Sequence, residues 1–477
     1  MNRKNARNSI GSVAIVAALL LIYYFGALDQ GKSTELFVNP DTSPNSSTGD
    51  TVDLTCVGCN LILLNIELLR ADYVGLINPV QGVTPHIDDF FSNGILFSDL
   101  SSGSGATYLS ATATATGTET MLNEHRLWKI RRPTGGGIRI PYILHQDGKM
   151  LIDYFPTIAQ VLLKGGYRTT SINQWIHSGK RAFLDRGFSD YVELPEKENQ
   201  LLFEKQIDVV IDSLVKREPG SFYFYFHPNS LHIAFHYPLR RAIADTEFMK
   251  SMKSMSYVKG ESLIINSRNP KPPHPSPSLI WKAYEQQVRY VDEQLARLFV
   301  FLEEKDLLQT TIVVLYANHG LGVNKEGKLG VGLSYQSYLH VPLLIRHPNV
   351  GHQIRIEAMA SLVDLAPTLY KMLGVKIDHN LTTYSLAPLI TRGNYEREYA
   401  YSKDIQNESV RKGDWKLIVI GGQTEELYNL KTDPQEQNNV YEDHKDIARK
   451  LTVALEQKRI QQLEYTREMK VYFDAAN

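Results

Sequence analysis

The stretch Asn60-Leu-Ile-Leu-Leu-Asn-Ile-Glu67-Leu-Leu-Arg70-Ala-Asp72 decides the fold. Residues 61–66 are apolar at all but one position, which is typical of a strand buried inside a parallel sheet. Polar residues follow directly where this strand ends. Because ligands and catalytic groups collect at the carboxyl ends of the strands in such sheets, we expect Glu67 to lie at a functional site.

Two other stretches place polar residues in comparable positions. Thr311-Ile-Val-Val-Leu-Tyr-Ala-Asn318-His319-Gly320 is a second apolar run that ends in polar residues. Gly105-Ala-Thr107-Tyr-Leu-Ser110 places hydroxyl groups after a glycine. Apolar runs of this kind alternate with amphipathic helical patterns along the chain, and this alternation predicts an α/β fold with a mostly parallel central sheet.

Length and composition limit the possible architectures. The chain has 477 residues, of which 43% are hydrophobic, so it can form one large domain and a smaller one. Its net charge is −1, and no charge run indicates a nucleic-acid partner. We expect the large domain at residues 56–375 and a small α+β subdomain at residues 376–477.

The N-terminus has the pattern of a membrane-targeting segment. Its uncharged run at residues 9–28 is close to the ~20 residues that a membrane span needs. The basic residues before it are Arg3, Lys4 and Arg7. We therefore predict a single-pass signal anchor at residues 1–29, with the catalytic domain in the periplasm or outside the cell. The alternative, a signal peptide cut after Ala27, is disfavoured by the bulky Phe25.

A polar segment at residues 30–55 predicts a flexible linker. It is followed by the two cysteines of the chain, Cys56 and Cys59. Their spacing is compatible with a redox pair or half of a metal site, but further thiolates for structural zinc are absent from the sequence. In an exported protein a small disulfide is the favoured interpretation. The polar stretches at residues 121–148 and 248–278 are expected to be surface loops.

Several motifs occur in the order and spacing found in the sulfatase branch of the alkaline phosphatase superfamily, and over residues 59–455 the chain resembles that family. The motifs are Leu69-Arg-Ala-Asp72, Thr84-Pro-His-Ile-Asp88, Thr116-Gly117, Arg289-Tyr-Val-Asp292, Asn318-His-Gly320, His340-Val-Pro342 and Glu426-Leu-Tyr-Asn-Leu-Lys-Thr-Asp-Pro. The resemblance implies an alkaline-phosphatase-like sandwich with a small C-terminal antiparallel sheet. It also implies cleavage or transfer of sulfate or phosphate esters by a metal-activated nucleophile.

The resemblance assigns the nucleophile position to Thr107. Counting back from Thr116-Gly117, the Cys or Ser of the sulfatase signature falls on Thr107, so formylglycine formation is not expected. Phosphoethanolamine transferases and lipoteichoic acid synthases are similar to this chain in using Thr there and Glu at the position of Glu67. The context overrides the strand-like alternation at residues 111–116 and predicts a helix that begins near Thr107. Ser104 and Ser110 remain alternative nucleophiles.

The remaining candidate ligands come from the same resemblance. Asn318 and His319 stand where the family has Asp-Asn or Asp-His. With Glu67 and Thr107 they are expected to hold one divalent cation, and a histidine ligand favours zinc or manganese over calcium. His232 is predicted to contact the substrate at the sulfate or phosphate that is transferred, where it could bind an oxyanion or protonate a leaving group. The other predicted substrate contacts are Trp175 and His340, whereas His227 and His236 are assigned to packing or the surface.

Some positions depart from the family pattern. Ala111, Gln174 and Val331 replace residues that are cationic in many members. Loss of one donor to a developing negative charge costs on the order of 100-fold in rate, so other cations would have to substitute. Candidates for that role are His177, Lys180 and Arg181.

Three functional hypotheses follow. The first is a membrane-anchored hydrolase or transferase of sulfated or phosphorylated glycans, lipids or small molecules. The second is a degenerate member of the family that binds a ligand or partner without turnover. The third, a phosphoethanolamine or glycerol-phosphate transferase, is the least favoured, because such enzymes usually carry several membrane helices and this sequence predicts one.

Overall fold

Strands and helices alternate along the chain in the computed structural model, which describes residues 52–120, 126–131, 137–142, 155–174, 184–194, 203–231, 277–323, 329–330, 333–377, 381–393, 397–404, 407–422 and 424–476. The strands are β1 Asn60–Asn65, β2 Ile95–Phe97, β3 Leu100–Ser101, β4 Arg126–Arg131, β5 Gly137–Tyr142, β6 Arg168–Asn173, β7 Asp190–Glu193, β8 Phe222–His227, β9 Thr311–Tyr316, β10 Gly322–Val323, β11 Leu329–Gly330, β12 Leu343–Arg346, β13 Ile354–Ile356, β14 Ala360–Ser361, β15 Ala400–Lys403, β16 Asn407–Lys412, β17 Trp415–Ile420 and β18 Thr424–Asn429. The α-helices are α1 Pro85–Phe91, α2 Thr107–Thr116, α3 Ile158–Lys164, α4 Phe203–Val215, α5 Pro277–Glu304, α6 Gln336–Leu339, α7 Leu365–Leu373, α8 Ala387–Arg392 and α9 Lys445–Ala476.

The central sheet confirms the predicted α/β fold. Within the described residues its strand order is β13-β2-β12-β9-β1-β8-β6-β7. All neighbours are parallel except β12, which is antiparallel to both β9 and β2. The strand β1 lies in the middle, between β9 and β8. Its residues Leu61, Ile62, Leu63 and Leu64 are at most 1% exposed, as a strand covered on both faces requires.

Two segments differ from what their composition suggests. The Ala-Thr alternation forms α2, as predicted, and the helix ends at Gly117 in the left-handed conformation, with φ 63°. The stretch at residues 121–148 was predicted to be a surface loop, and this is wrong in part, because β4 and β5 pair there as an antiparallel hairpin. The alternation of apolar Trp128 and Ile130 with charged Lys129 and Arg131 carries a strand signal that the polar composition obscured.

The C-terminal residues form a separate antiparallel sheet in the order β15-β16-β17-β18. The helix α9 covers one of its faces, and the shared core includes Val410, Leu417, Leu427, Leu451 and Leu455. Residues Thr51–Asn477 form one compact unit, and the domain boundary expected near residue 375 stays a prediction.

Cys56 and Cys59 form a disulfide at the entry to β1, as the sequence analysis favoured. In the part of the chain that the structure describes, no helix is both long and apolar enough to cross a membrane. The predicted anchor at residues 1–29 and most of the linker lie outside the described residues.

Candidate active site

The carboxyl ends of β1, β8 and β9 meet at one edge of the central sheet. Glu67 follows β1 after a single residue, and His227 is the last residue of β8. Asn318 and His319 follow β9 after Ala317. Because the strands are parallel neighbours, these residues reach the same edge of the sheet although they are distant in sequence. All of them are at most 1% exposed.

A strained turn presents Glu67. The next residue, Leu68, has φ 67°, a left-handed conformation that costs about 1–3 kcal/mol for a residue with a side chain. Tyr284 of α5 holds this turn, since its hydroxyl donates to the Leu68 carbonyl at 2.6 Å and accepts from the Arg70 N–H at 3.0 Å. The strain therefore persists because surrounding contacts fix the turn, which is common at functional sites.

Arg70 joins this turn to the segment that carries His319. Its guanidinium forms two hydrogen bonds with the Asp72 carboxylate, at 2.8 and 2.6 Å. It also donates to the carbonyl of Leu321 at 3.1 Å and lies 4.8 Å from the ring centroid of Trp281. The Leu69-Arg-Ala-Asp72 motif thus holds the backbone around the site.

The helix α2 places Thr107 against Glu67. A side chain on Gly105 would lie 2.3 Å from the carbonyl oxygen of Leu333, so glycine permits the close approach that precedes the helix. Thr107 is the first residue of α2, where the positive end of the helix dipole favours a partly ionised hydroxyl. Its Oγ1 donates to Glu67 Oε1 and lies 2.9 Å from His319 Nε2.

Three atoms with lone pairs converge at this point. His319 Nδ1 donates to the Gly320 carbonyl at 2.8 Å, so in the neutral imidazole Nε2 carries a lone pair. That nitrogen lies 3.5 Å from Glu67 Oε1. The only proton among Glu67 Oε1, Thr107 Oγ1 and His319 Nε2 is then that of the threonine hydroxyl. Such a concentration of acceptors fits a cation.

The side chain of Asn318 strengthens this fit. It is 0% exposed, and within the described residues neither its Oδ1 nor its Nδ2 has a hydrogen-bond partner. A buried amide without partners costs about 1–3 kcal/mol, and an oxygen ligand to a cation is one way to offset that cost. The described ranges contain no group of three or more His, Cys, Asp or Glu side chains arranged as a metal site, so the predicted set depends on Thr107 and Asn318.

The alternative nucleophiles have other partners. Ser110 Oγ donates to the carbonyl of Asn318 at 2.5 Å and lies 3.0 Å from Ser102 Oγ. Ser104 Oγ donates to Asp404 and accepts from the Ala106 N–H at 3.1 Å. The contact of Thr107 with Glu67 and His319 therefore favours Thr107 over both serines.

Asp404 is a site neighbour that the sequence analysis missed. It follows β15 and is 1% exposed, and its carboxylate accepts hydrogen bonds from Ser104 and Ser334. Burial raises its pKa to about 6 in spite of those bonds and the nearby His319. No local sequence signal indicates this role, because the contact joins the C-terminal region to the turn before α2.

His227 is a second residue that the sequence analysis placed elsewhere. It was assigned to packing or the surface, yet its Nε2 lies 3.2 Å from Glu67 Oε2, with both side chains 0% exposed. The strand-end argument that identified Glu67 applies equally to His227, because it ends the neighbouring strand β8.

The other predicted positions have different hydrogen-bond partners or lie outside the described residues. His340 Nε2 is bonded to the carbonyl of Ser98 at 2.9 Å. Gln174 Oε1 accepts from Gln206 Nε2 at 2.9 Å and from the Asn229 N–H at 3.2 Å, which fixes the segment after β8. Outside the described residues are Trp175, His177, Lys180, Arg181, His232, His236 and Val331.

Comparison with known proteins supports the fold and the family. The chain resembles the mouse (Mus musculus) arylsulfatase K, with 27% identity over 184 residues, which is 35% of this chain and 32% of that protein. The matched region thus spans about a third of the length of that relative. The fold of this chain is similar to that of the phosphonate monoester hydrolase of Agrobacterium radiobacter. The TM-score is 0.64, with 18% identity over 85% of this chain and 96% of the other.

A second solved structure has the same fold. It is a protein in complex with its substrate D-glucosamine-2-N,6-O-disulfate, with TM-score 0.62 and 17% identity over 86% of this chain and 98% of the other. The model of the sulfatase family matches residues 59–375, and that of the N-sulphoglucosamine sulphohydrolase C-terminal region matches residues 331–462. Sulfatases generally bind a divalent metal. The chain belongs to the sulfatase family.

Proposed function

We propose that this protein is a metal-dependent hydrolase of sulfate esters that uses Thr107 as its nucleophile. The observation that carries the proposal is the contact of Thr107 Oγ1 with Glu67 Oε1 and His319 Nε2, together with the buried amide of the neighbouring residue Asn318, which has no hydrogen-bond partner among the described residues. These four residues would hold one divalent cation, with zinc or manganese favoured by the histidine. A bound cation would lower the pKa of the threonine hydroxyl and withdraw charge from an ester oxygen.

The residues of the chain account for the first step. In the hydrogen bond shown here Thr107 Oγ1 donates its proton to Glu67 Oε1, and binding of a cation to these two oxygens would release that proton to solvent, because metal ligands bind deprotonated. The freed oxygen lies at the N-terminus of α2, where the helix dipole stabilises its negative charge. It attacks the sulfur of the ester, the bond from sulfur to the alcohol oxygen breaks, and the alcohol leaves after gaining a proton. We assign that proton to His232, and substrate contacts to Trp175 and His340.

The substrate class is part of the same proposal. The protein solved with D-glucosamine-2-N,6-O-disulfate has this fold, which supports a sulfated glycan as substrate. A phosphate or phosphonate ester is the second candidate, because Thr107 and Glu67 match the transferase branch and a phosphonate monoester hydrolase has this fold. Retention of the fold for binding alone is the remaining alternative, since Ala111 and Gln174 supply no cation.

We also propose that residues 1–29 anchor the protein in a membrane, with the catalytic domain outside the cytoplasm. The basic residues before the apolar run support this orientation. The Cys56–Cys59 disulfide is in keeping with an oxidising compartment.

The proposal is tested by metal content and turnover measured together. Full-length protein in detergent is analysed for bound metal and assayed with 4-nitrophenyl sulfate and 4-nitrophenyl phosphate. We expect one equivalent of metal, lost in Glu67→Ala, and sulfate ester cleavage that Thr107→Ala abolishes and Thr107→Ser partly retains. Ser110→Ala is the control for a shifted nucleophile and should keep activity. Metal without turnover of any ester would favour the binding alternative, and absence of metal would contradict the proposal.

A further inference from the structure

His227 is the residue that approaches the second oxygen of the Glu67 carboxylate. Its Nε2 lies 3.2 Å from Oε2, whereas Thr107 and His319 approach Oε1. The two carboxylate oxygens of Glu67 thus have different partners. The pair is 0% exposed, so water does not compete for this hydrogen bond.

The hydrogen-bond partners of His227 determine which nitrogen carries the proton. An ionised carboxylate only accepts, so the nitrogen that faces Glu67 must carry the hydrogen. In the neutral imidazole Nδ1 then accepts, and the Tyr225 hydroxyl lies within hydrogen-bond distance of it, at 3.1 Å. Burial raises the pKa of Tyr225 to about 12, so this hydroxyl keeps its proton to donate.

The chain of hydrogen bonds continues to the other side of the site. Asn65 Nδ2 donates to the oxygen of Tyr225 at 3.1 Å, and Asn65 Oδ1 accepts from the backbone N–H of Asn318 at 3.1 Å. A backbone N–H can only donate, so the N–H of Asn318 faces the amide oxygen of Asn65. The Asn65 NH₂ group then faces Tyr225, whose oxygen accepts a hydrogen bond from it. The donor and acceptor assignments made from the Asn318 end and from the Glu67 end therefore agree.

We propose that His227 is a positioning residue that holds Glu67 Oε2 through a fixed hydrogen-bond chain from Asn318 through Asn65 and Tyr225, and so leaves Oε1 alone to face Thr107 and the cation. The inference rests on the proposed metal site and deepens it. Outer partners of this kind orient the ligand and typically change metal affinity by about 10–100-fold when they are removed.

Two amide substitutions test whether His227 positions Glu67 or only fills a buried polar space. The amide nitrogen of His227→Gln can reach the place of Nε2 and donate to Glu67. The amide of His227→Asn reaches only the place of Nδ1, beside Tyr225. The two variants share their chemistry and differ by one methylene group. If His227 only fills buried space, both substitutions should change cation affinity to a similar extent. If His227 positions Glu67, only the glutamine variant should keep the affinity of the wild type.

The experiment is a titration of metal-free, full-length protein in detergent with Co²⁺, followed by visible absorption. We expect His227→Gln to bind within about threefold of the wild type and His227→Asn about 10–100-fold more weakly. The spectrum of His227→Asn should also be weaker, because a released Glu67 can bind through both oxygens and raise the coordination number. Tyr225→Phe, which removes one oxygen atom, should weaken binding about tenfold and provides the same test should His227→Asn not fold.

The possible outcomes are distinguishable. Equal affinities and spectra for the wild type, His227→Asn and Tyr225→Phe, with binding lost in Glu67→Ala, would overturn the role of His227 and leave the proposed metal site intact. Equal losses in His227→Gln and His227→Asn would also overturn it. A wild-type protein that binds no Co²⁺ would contradict the proposed function and this inference together.

Discussion

Ser104 Oγ donates a hydrogen bond to Asp404 Oδ1 across a separation of 300 residues. Ser104 lies in the turn before α2, and Asp404 follows the first strand of the C-terminal sheet. Ser334 donates to the other oxygen of Asp404 at 3.3 Å. The C-terminal region therefore contributes directly to the turn that positions Thr107.

The buried Asp404 should make folding stability depend on pH. Burial raises its pKa from 3.8 to about 6, so the folded state favours the protonated form. Its contribution to stability is then complete below pH 4 and is lost as the pH rises through 6. Asp404→Asn removes this titration, so the unfolding free energy of the wild type minus that of the variant should fall by about 2 kcal/mol from pH 4 to pH 7.

Urea unfolding of the metal-free protein at several pH values measures this difference. Asp446→Asn, which makes the same substitution at an exposed position on α9, is the matched control. A difference between wild type and Asp404→Asn that stays constant with pH would contradict the prediction.

Lys416 and Glu436 form a buried ion pair in the C-terminal region, 2.8 Å apart and each 1% exposed. Lys416→Met would leave the Glu436 charge buried without its cationic partner, so we expect a loss of about 3–5 kcal/mol in unfolding free energy. The matched control is Lys412→Met, which removes the exposed pair with Glu398 and should cost less than about 1 kcal/mol. Denaturant unfolding compares the two variants, and equal losses would show that burial does not govern the effect.

Asn318→Asp should tighten cation binding. Its amide has no partner among the described residues, and a carboxylate in its place adds a full negative charge to the proposed ligand set. Because attraction to a doubly charged ion grows with ligand charge, we expect at least about a tenfold gain in affinity. Calorimetric titration with Mn²⁺ measures it. Asn60→Asp, at the opposite end of β1, is the control and should not alter affinity, and unchanged binding in Asn318→Asp would show that Asn318 is not a ligand.

Gly320 leaves no room for a side chain beside the site. A Cβ there would lie 2.4 Å from the carbonyl oxygen of Ser337 and 3.2 Å from Arg70 Cγ. Gly320→Ala should therefore displace the segment that carries His319 and weaken cation binding by about tenfold or more. The control, Gly351→Ala, meets no atom within 4 Å and should bind as the wild type does. Metal titration of both variants decides the point, and equal affinities would contradict the prediction.

Much of the fold was readable from the sequence because it depends on local patterns. The apolar run that became β1, the run that became β9 and the glycine that ends α2 each carry a signal within a few residues. Glu67, Asn318 and His319 were identified as candidates because each follows a strand, and parallel strands place their ends at one edge. The motif order was enough to identify the resemblance to sulfatases.

What the tertiary structure alone decided is which of these polar groups meet. The pairing of β1 with β8 brings His227 to Glu67, and the contact between Ser104 and Asp404 joins residues 300 positions apart. Local sequence patterns report whether a position is buried and in what kind of element. They do not report its partner, because strand order and the packing of distant segments set the neighbours of a side chain. Those neighbours determine the proton positions and pKa values of the site.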